Sequence, residues 1–411
     1  MTLRTGPVSD WATDLDHAEP EYNEHAHQIW ADLRAGGCPV AHSERYGGMW
    51  APITHELVKE VAYDTDHFTS RSVVVSNGRP VIEAPVGPAP PITSDPPFHQ
   101  IARRLLLPPF SPKAINPWEP EIRRLCNELL DRMGDITAGE SVVDAAVQYA
   151  QSIPVNVIAR MLGFPPEDEE LFRGFVHNVL EEVNLPVEER EEGFAELDEY
   201  LDRQIEDHVA NPRDDLTSYL LGVELEGNKL SYEHVRGSIV LLLIAGIDTT
   251  WSAIGSSIWH LAHHPEDLQR IVDDPDVMLF GLEEFLRAYA PVTMARLVAE
   301  DHDFHGCPMK ADEWVLLPFP AANRDPAAFD RAEEFVIDRE ENRHAAFGLG
   351  IHRCLGSNLA RLELKVAIEE FVRRFPRFEL AGDVRWSVGQ IRGPRVLPVR
   401  VLAHGGDDAT S

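Results

Sequence analysis

The residues best suited to chemistry lie in one glycine-rich loop near the C-terminus, Phe347 to Gly356. Cys354 follows two basic residues, His352 and Arg353, and a helical sequence begins directly after the loop. A thiolate is stabilised by nearby positive charge and by the N–H groups at the start of a helix. Glycines also let a flat group approach the backbone closely. The loop therefore suits a thiolate ligand for haem iron; the alternative is a buried cysteine in an ordinary turn.

Matching motifs upstream favour the first interpretation. The cysteine loop resembles the haem-binding loop of the cytochrome P450 family. The stretch Ala245 to Thr250 resembles the oxygen-activation part of the family's long central helix, and Glu284-Phe-Leu-Arg287 resembles its Glu-x-x-Arg element. Two weaker matches are Asp95 to Arg103 and Ala322 to Pro326. The motifs occur in the family's order over roughly residues 20 to 400, so the chain resembles a bacterial-type soluble cytochrome P450.

The resemblance implies one cytochrome P450 domain over residues 1–411, mainly α-helical with small β-sheets and a long central helix over the haem. Residues 1–20 and 404–411 are expected to be flexible. Local signals agree with this architecture. Ser231 is a suitable N-cap and Pro265 opens the next helix, so the residues between them predict one helix of about 50 Å.

Shorter elements are also predicted from local patterns. Asn116 and Pro117 suit the start of a helix that runs to Met133, with Gly134 as its stop. Phe194 to His208 has the pattern of an exposed acidic helix. The runs Trp314–Leu317 and Pro394–Val401 are rich in strand-forming residues.

The family's cofactor is haem b, and the resemblance assigns residues that bind it. Cys354 is the metal ligand. The two haem carboxylates need cationic or hydrogen-bonding partners, which by resemblance are His99, Arg103, Arg296 and His352. The remaining cofactor-binding residues implied are Ala245, Phe347, Gly348 and Gly356.

Asp248 and Thr249 are the predicted catalytic residues. Cleavage of the O–O bond of dioxygen consumes protons, which a hydroxyl and a neighbouring carboxylate can supply. We expect Thr249 to hold a water at the reacting oxygen and Asp248 to relay protons from solvent. The alternative is a polar patch on an amphipathic helix. The preceding run Leu241–Gly246 is entirely apolar or small, however, and burying an acid beside it is costly without a role.

Two further residue sets follow from the resemblance. Glu284 and Arg287 are assigned a structural role near the haem loop, with Arg324 and Arg339 as candidate partners. Leu241, Ile244 and Val292 are placed over the haem as substrate contacts.

The substrate pocket is also expected to include the loop near residues 70–97 and the segment 172–186. Aliphatic contacts suit a small hydrophobic substrate, although core packing is the alternative for each of them. Hydroxylation and O-dealkylation remain equally open.

Basic residues flank the haem motifs in a chain whose formal net charge is −32. Such a cluster can steer an acidic electron donor to the face nearest the iron; alternatively, these residues serve haem carboxylates and helix C-termini. No flavin or nicotinamide fingerprint follows the haem motif, so a ferredoxin-type donor with an NAD(P)H-dependent reductase is expected. The cluster comprises Arg103, Arg104, Lys113, Arg123, Arg124, Arg343, Arg353, Arg361 and Lys365.

Charge and hydrophobicity exclude other classes. The acidic balance argues against nucleic acid and anionic membranes as partners. The N-terminal residues have no apolar signal segment, and the longest apolar run, Ile239–Ala245, is shorter than the roughly 18 residues of a membrane span. A cytoplasmic monomer is expected. Cys38, Cys126 and Cys307 match no zinc or disulfide pattern and are interpreted as ordinary small residues.

The leading hypothesis is a haem-thiolate monooxygenase that inserts one oxygen atom of O2 into a C–H bond of a small hydrophobic substrate. A haem-thiolate peroxygenase using hydrogen peroxide is one alternative, but such relatives typically lack the Asp-Thr pair that is present here. A non-enzymatic haem sensor is the other alternative, and it would need neither a proton relay nor a donor surface.

Overall fold

The computed structural model describes residues 6–37, 39–76, 88–133, 142–182, 185, 187–225 and 227–402. Within these ranges helices predominate and the strands are short, which confirms the predicted class of mainly α with small β-sheets. Gly134 and Cys38 lie outside the described residues, as do residues 77–87 of the expected pocket loop.

The helices pack around one long central helix, α10. Their bounds are α1 Pro20–Ala35, α2 His55–Tyr63, α3 Phe98–Leu106, α4 Pro112–Ile115, α5 Glu119–Arg132, α6 Ser152–Leu162, α7 Glu169–Leu180, α8 Val187–Ala210, α9 Leu216–Gly222, α10 Tyr232–His263, α11 Pro265–Asp273, α12 Met278–Ala288, α13 Phe319–Ala322 and α14 Ser357–Arg374.

The strands form one larger sheet and several small ones. Their bounds are β1 Val40–Ser43, β2 Met49–Pro52, β3 Phe68–Thr69, β4 Val142–Asp144, β5 Glu224–Leu225, β6 Asn228–Lys229, β7 Thr293–Val298, β8 His302–Phe304, β9 Cys307–Met309, β10 Trp314–Pro318, β11 Phe378–Leu380, β12 Arg385–Trp386, β13 Pro394–Val396 and β14 Pro398–Val401. The five-stranded sheet has the order β1-β2-β10-β7-β3, and β2 and β10 are parallel while the other neighbours are antiparallel. A second sheet has the order β11-β14-β4.

Helix α10 has the ends that the sequence predicts. The Ser231 hydroxyl accepts a hydrogen bond from the His234 N–H, and Pro265 begins α11 after His264. Most of its side chains are buried, and it packs against α6, α7 and α14. Among the described helices α10 alone is long and apolar enough to cross a membrane, but 72% of that apolar window is buried inside the protein. The helix is therefore a core element.

Three predicted boundaries differ from the structure. The run Pro394–Val401 is two strands in different sheets, because β13 pairs with β12 while β14 pairs with β4 and β11. The helix expected from Asn116 starts with a 3₁₀ turn, and its α-helical part begins at Glu119. The acidic helix α8 is longer at both ends than the pattern over 194–208 indicates.

The described part of the N-terminal segment packs against the sheet, and the expected flexibility of residues 1–20 stays a prediction. Leu15 is 2% exposed, and Arg45 forms ion pairs with Asp14 and Asp16 at 2.8 and 2.9 Å. The backbone of Asp14 also pairs with that of Ser43 of β1 in an isolated antiparallel β-bridge. These contacts hold the described residues 6–19 against the sheet, while residues 1–5 and 403–411 lie outside the described part of the chain.

A buried charge network joins α12 to the segment that precedes the cysteine loop. Glu284 and Arg287 are both fully buried, with Nε of Arg287 2.8 Å from Oε2 of Glu284. Arg339 lies 3.0 Å from the same oxygen, and Arg287 also donates to the carbonyls of Asn323 and Ala332. Arg324 instead donates to the Ala288 carbonyl. Removing one partner of such a buried pair typically costs about 3–5 kcal/mol, so this network holds the approach to the loop in place.

Candidate active site

The cysteine loop is held by its own backbone and by α2. The Cys354 N–H donates to the Phe347 carbonyl at 2.7 Å, and the Gly356 N–H donates to the Cys354 sulfur. Gly350 has a φ of +67°, and a Cβ atom there would lie 2.2 Å from the Ala62 carbonyl oxygen at the end of α2. Only glycine allows this close approach. The sulfur is thereby fixed one turn before the positive end of α14.

Burial raises the pKa of the Cys354 thiol, and the opposing influences are the Gly356 N–H and the positive charges of Arg103, Arg353 and Arg361. These groups thus offset part of the rise in the thiol pKa that burial causes, but not all of it. A bound metal ion completes the deprotonation of a coordinating thiol. The site has the chemistry of a thiolate that is formed on metal binding.

The ring of Phe347, in the cysteine loop, packs against the positively charged guanidinium of Arg361. The Arg361 guanidinium lies 4.4 Å from the centre of its ring and forms two hydrogen bonds to Glu283 at 2.6 and 2.8 Å. His344 also contacts Glu283, at 2.9 Å. Burial alone would raise the pKa of Glu283, but these two basic partners lower it to about 2. Arg361 is consequently engaged in holding Phe347 in place.

Four predicted cofactor residues converge from three separate segments. His99 and Arg103 lie on α3, Arg296 on β7 and His352 in the cysteine loop. The His99 and His352 rings are 4.3 Å apart, and Arg103 donates to the Arg353 carbonyl at 2.5 Å. Ser70 lies 2.9 Å from Nε2 of His352. Residues that are far apart in sequence thus form one basic cluster next to Cys354.

This basic cluster has no counter-anion in an ion pair within the described part of the chain. Neither ring nitrogen of buried His99 has a hydrogen-bond partner there. Burial, followed by Arg103 and Arg296, lowers the pKa of His99 to about 4, and burial lowers the pKa of Arg296 to about 10. Asp95 is the nearby acid, but its oxygens accept hydrogen bonds from Thr69 and from the Ser70 N–H. The donor set therefore fits a group with two carboxylates, as haem has.

Asp248 lies inside the protein in an ion pair that the sequence analysis did not anticipate. It is fully buried, and its Oδ1 lies 2.7 Å from Nη2 of Arg395 on β13. The Arg395 guanidinium also donates to Glu181, at the end of α7, at 2.5 Å and packs 4.1 Å from the Trp251 ring. Burial raises the pKa of Asp248, with Arg395 opposing the shift. Oδ2 of Asp248 has no hydrogen-bond partner among the described residues.

One face of α10 is accessible although the helix is a core element. Ala245 is exposed, and Leu241 and Thr249, one turn before and after it, are partly exposed. The Thr249 hydroxyl donates to the Ala245 carbonyl at 3.0 Å. Small side chains on this face let a flat group lie against the helix. Together with the basic cluster, this face fits a haem.

The other two predicted substrate contacts have different surroundings. Ile244 is 7% exposed and belongs to the main helical core. Val292 is partly buried beside the five-stranded sheet and bridges to Ile391. Of the three predicted positions, Leu241 lies on the same accessible face as Ala245 and Thr249. The assignment of Ile244 and Val292 to substrate stays a prediction.

Glu363 is a buried acid that the sequence analysis missed. It lies on α14, is 2% exposed and forms a hydrogen bond with Thr250 of α10. Burial raises the pKa of Glu363 to about 8. Its position on the apolar stripe of α14, between Leu359 and Ala367, is the signal that could have identified it. Arg395 had no such signal, because its contact with Asp248 crosses between distant segments.

The predicted donor cluster divides into paired and unpaired residues. Arg123 pairs with Glu119, Glu369 and Glu370, and Arg124 pairs with Glu121 and Glu128. Lys365 lies 3.7 Å from Glu369. By contrast, four exposed residues have no ion pair within the described part of the chain: Arg104, Lys113, Arg343 and Arg353. These four, called the open basic set below, are available to a partner.

Comparisons with known proteins agree with this geometry. A family model described as Cytochrome P450 matches residues 162–282 and 280–385. Cytochrome P450 107B1 of Saccharopolyspora erythraea is 31% identical over 416 residues, which cover 97% of this chain and 99% of that protein. Mycinamicin IV hydroxylase/epoxidase of Micromonospora griseorubida is 33% identical and covers 75% of this chain and 79% of that protein.

Solved structures give the same result for the fold. CYP109E1 from Bacillus megaterium, in complex with testosterone, superposes with a TM-score of 0.83 at 32% identity and covers 93% of this chain and 99% of that one. Myxobacterial cytochrome P450 CYP267B1, in complex with myristic acid, superposes with a TM-score of 0.85 at 30% identity and covers 94% of this chain and 99% of that one.

Glu363→Gln should remove a pH dependence of stability. A carboxyl group whose pKa is higher in the folded than in the unfolded state stabilises the fold at low pH. For Glu363 this stabilisation is fully present below the unfolded pKa of 4.5 and is lost as the pH rises through the folded pKa of about 8. Between about pH 5 and 8 the wild-type free energy of unfolding should therefore contain a decrease of about 1 kcal/mol per pH unit from this group.

Urea denaturation of the haem-loaded proteins at several pH values measures this slope. The variant should lose the decrease, whereas Glu369→Gln, a more exposed acid on the same helix, should retain it. Identical slopes in wild type and Glu363→Gln would show that Glu363 is ionised in the folded protein.

Proposed function

The chain belongs to the cytochrome P450 family and is thus a haem b monooxygenase. On that basis we propose that it inserts one oxygen atom of O2 into a C–H bond of a small hydrophobic substrate. We further propose that its electrons come from a ferredoxin-type donor. The single observation that carries the assignment of its site is the basic cluster of His99, Arg103, Arg296 and His352 beside Cys354. No counter-anion pairs with that cluster in the described structure.

Cys354 is the proposed iron ligand. When bound, haem with a thiolate ligand supplies dioxygen activation and O–O bond cleavage. Gly356 donates an N–H to the sulfur, and the ring of Phe347, held under Arg361, limits access of water. Such contacts tune the electron donation of a metal ligand.

The basic cluster is proposed to bind the two haem carboxylates. Arg103 and Arg296 supply fixed positive charge, and His99 and His352 supply ring nitrogens. Burial lowers the pKa values of all four residues, and the two arginines lower those of the two histidines further, so an anion between them would offset these costs. Ala245 on α10 and Gly348 in the loop would lie against the porphyrin faces.

The proton route is proposed to run through Asp248 and Thr249. Thr249 presents its hydroxyl on the accessible face of α10. Asp248 keeps Oδ2 free for a water while Oδ1 is held by Arg395. Arg395 is then a positioning residue, because it fixes the orientation of the carboxylate without reaching the substrate.

The substrate is proposed to be a largely apolar molecule. Leu241 on the accessible face offers aliphatic contact, and the ligands named for two similar structures, testosterone and myristic acid, are largely apolar. Hydroxylation and O-dealkylation both begin with oxygen insertion at a C–H bond and stay open. The cytoplasmic location and the monomeric state also stay predictions.

The open basic set is the proposed docking surface for the donor. The molecule carries a formal net charge of −32, which would repel an acidic ferredoxin at long range. Arg353 of this set is exposed in the cysteine loop itself, where positive charge would offset that repulsion. Arg123, Arg124 and Arg361 are excluded from this set because their charges are already paired.

Cys354→Ala should abolish the red-shifted carbon monoxide band of a thiolate-ligated haem. Cys307→Ala is the matched control, since it removes a thiol of the two-stranded β8-β9 hairpin and should leave the band unchanged. The measurement is the difference spectrum of the reduced protein with carbon monoxide. Persistence of the band in Cys354→Ala would reject the ligand assignment and with it the proposed site.

Thr249→Ala should keep substrate binding but lower the product formed per NADPH by about tenfold or more, because proton delivery contributes at least that much to such steps. The lost reducing equivalents should appear as hydrogen peroxide. Ser257→Ala is the matched control, since Ser257 makes the same bond to the carbonyl four residues earlier, at 2.8 Å, elsewhere on α10. Thr249→Ser should restore coupling, and unchanged coupling in Thr249→Ala would exclude the relay.

Arg353→Glu should slow reduction of the haem by a ferredoxin-type donor by about tenfold at low salt, with the effect shrinking as salt is added. Stopped-flow reduction at two or more ionic strengths measures this. Arg203 is an exposed arginine of α8 outside the open basic set, so the haem of the Arg203→Glu variant should be reduced at the wild-type rate. Equal rates for both variants at every ionic strength would place the donor elsewhere.

A further inference from the structure

Two histidines and an aspartate, none of them assigned to haem, meet beside the edge strand β3 of the five-stranded sheet. Asp64 follows α2, His67 precedes β3, and His302 begins β8. Each offers one ligand atom, and these atoms all lie within 4.8 Å of one another. We propose that Asp64, His67 and His302 bind one zinc ion. This site goes beyond the monooxygenase function and does not depend on it.

The donor atoms are already close to the spacing that zinc needs. A hydrogen bond of 2.8 Å joins Nδ1 of His67 and Oδ2 of Asp64, and a zinc ion would replace its proton, with the two atoms moving to the separation of about 3.3 Å found in a tetrahedral site. The His67 and His302 rings stack with centroids 3.9 Å apart at 23°. A rotation of the partly buried His302 ring would bring its nitrogen to the same point. Two imidazoles and one carboxylate leave the fourth position for water.

The aspartate is oriented before any metal arrives. Its Oδ1 accepts hydrogen bonds from the N–H groups of Asp66 and His67 at 3.1 and 3.0 Å. Oδ2 is therefore the oxygen directed toward the histidines. Fixing a ligand through its other atom is how metal sites gain affinity without new bonds to the ion.

The two histidines are also positioned by backbone pairing. Phe68 pairs with Val298 across β3 and β7, and the Ala299 N–H donates to the His67 carbonyl at 2.7 Å. His302 follows that residue in the turn to β8. The register of the sheet thus places both imidazoles side by side, so binding requires little ordering of the chain.

One wall of the site is apolar. The Phe68 and Phe304 rings are buried and lie 6.0 and 6.4 Å from the His302 ring. This wall excludes water from one side and leaves the other side open for entry. Imidazole ligands favour zinc over magnesium or calcium, which prefer sites made of oxygen atoms alone.

A second group, His264, Glu266 and Asp267, has similar spacing but lacks these features. It contains one imidazole, where the proposed site has two. Glu266 is exposed. This group serves as an internal comparison for the test.

The test is calorimetric titration of the haem-loaded, chelator-treated protein with zinc chloride. Wild type should bind one zinc equivalent that His302→Ala and His67→Ala lose or bind at least about tenfold more weakly. Asp64→Asn keeps an oxygen that can accept the backbone hydrogen bonds but removes the charged ligand atom, so it should also weaken zinc binding. This variant tests the proposal even if the alanine variants fail to fold. His305→Ala, on the same hairpin but paired with Glu60 at 2.9 Å, should bind as wild type does.

Thermal unfolding gives a second readout. Zinc should raise the unfolding temperature of wild type and His305→Ala but not of His302→Ala. The proposal is overturned if His302→Ala binds the same number of zinc ions as wild type. It is also overturned if the His264→Ala variant, rather than His302→Ala, loses one bound zinc ion. Because the carbon monoxide band reports the haem site separately, failure of the zinc site would leave the proposed monooxygenase function unaffected.

Discussion

Arg103 and Arg296 carry positive charge that has no anionic partner among the described residues, and this is the constraint on which the site depends. His99, Arg103, Arg296 and His352 come from three segments. Burial lowers the pKa of all four, and the two arginines lower the pKa values of both histidines further. A protein does not keep such a cluster for stability, since uncompensated buried charge is unfavourable. The same cluster lies next to Cys354, the thiol whose ionisation needs positive charge. One dianionic cofactor with a metal centre would satisfy both demands, which is why the haem assignment explains residues that otherwise destabilise the fold.

The central helix contains three polar positions in succession, Asp248, Thr249 and Thr250, and their surroundings differ. Asp248 is neutralised by an arginine from the far end of the chain, whereas Thr250 turns toward α14 and meets Glu363, whose pKa is raised to about 8. Thr249, between them, faces the accessible side. A single turn of helix therefore presents an ion-paired acid, a hydroxyl and a contact to an acid that is neutral at pH 7. The spacing of side chains around a helix produces this separation.

Charge is also organised on the scale of the whole molecule. The surface is strongly acidic, and three arginines near the cysteine loop, Arg123, Arg124 and Arg361, are paired with glutamates. The open basic set comprises exposed residues of the same cluster that have no ion pair within the described residues. The proposed zinc site lies outside this arrangement, at a sheet edge where register rather than net charge brings the ligands together. The two surfaces could thus change independently of each other.

The sequence by itself determined what depends on short-range chemistry. The haem-loop motif predicted Cys354 as the iron ligand, and an N-cap serine with a proline after the helix predicted the ends of α10, because caps and prolines act within one turn. Tertiary structure alone decided which charges meet. Arg395 reaches Asp248, Arg361 is paired with Glu283, and the run Pro394–Val401 divides between two sheets at Leu397. Such contacts join segments that are far apart in the chain, and no local pattern records the distance between them.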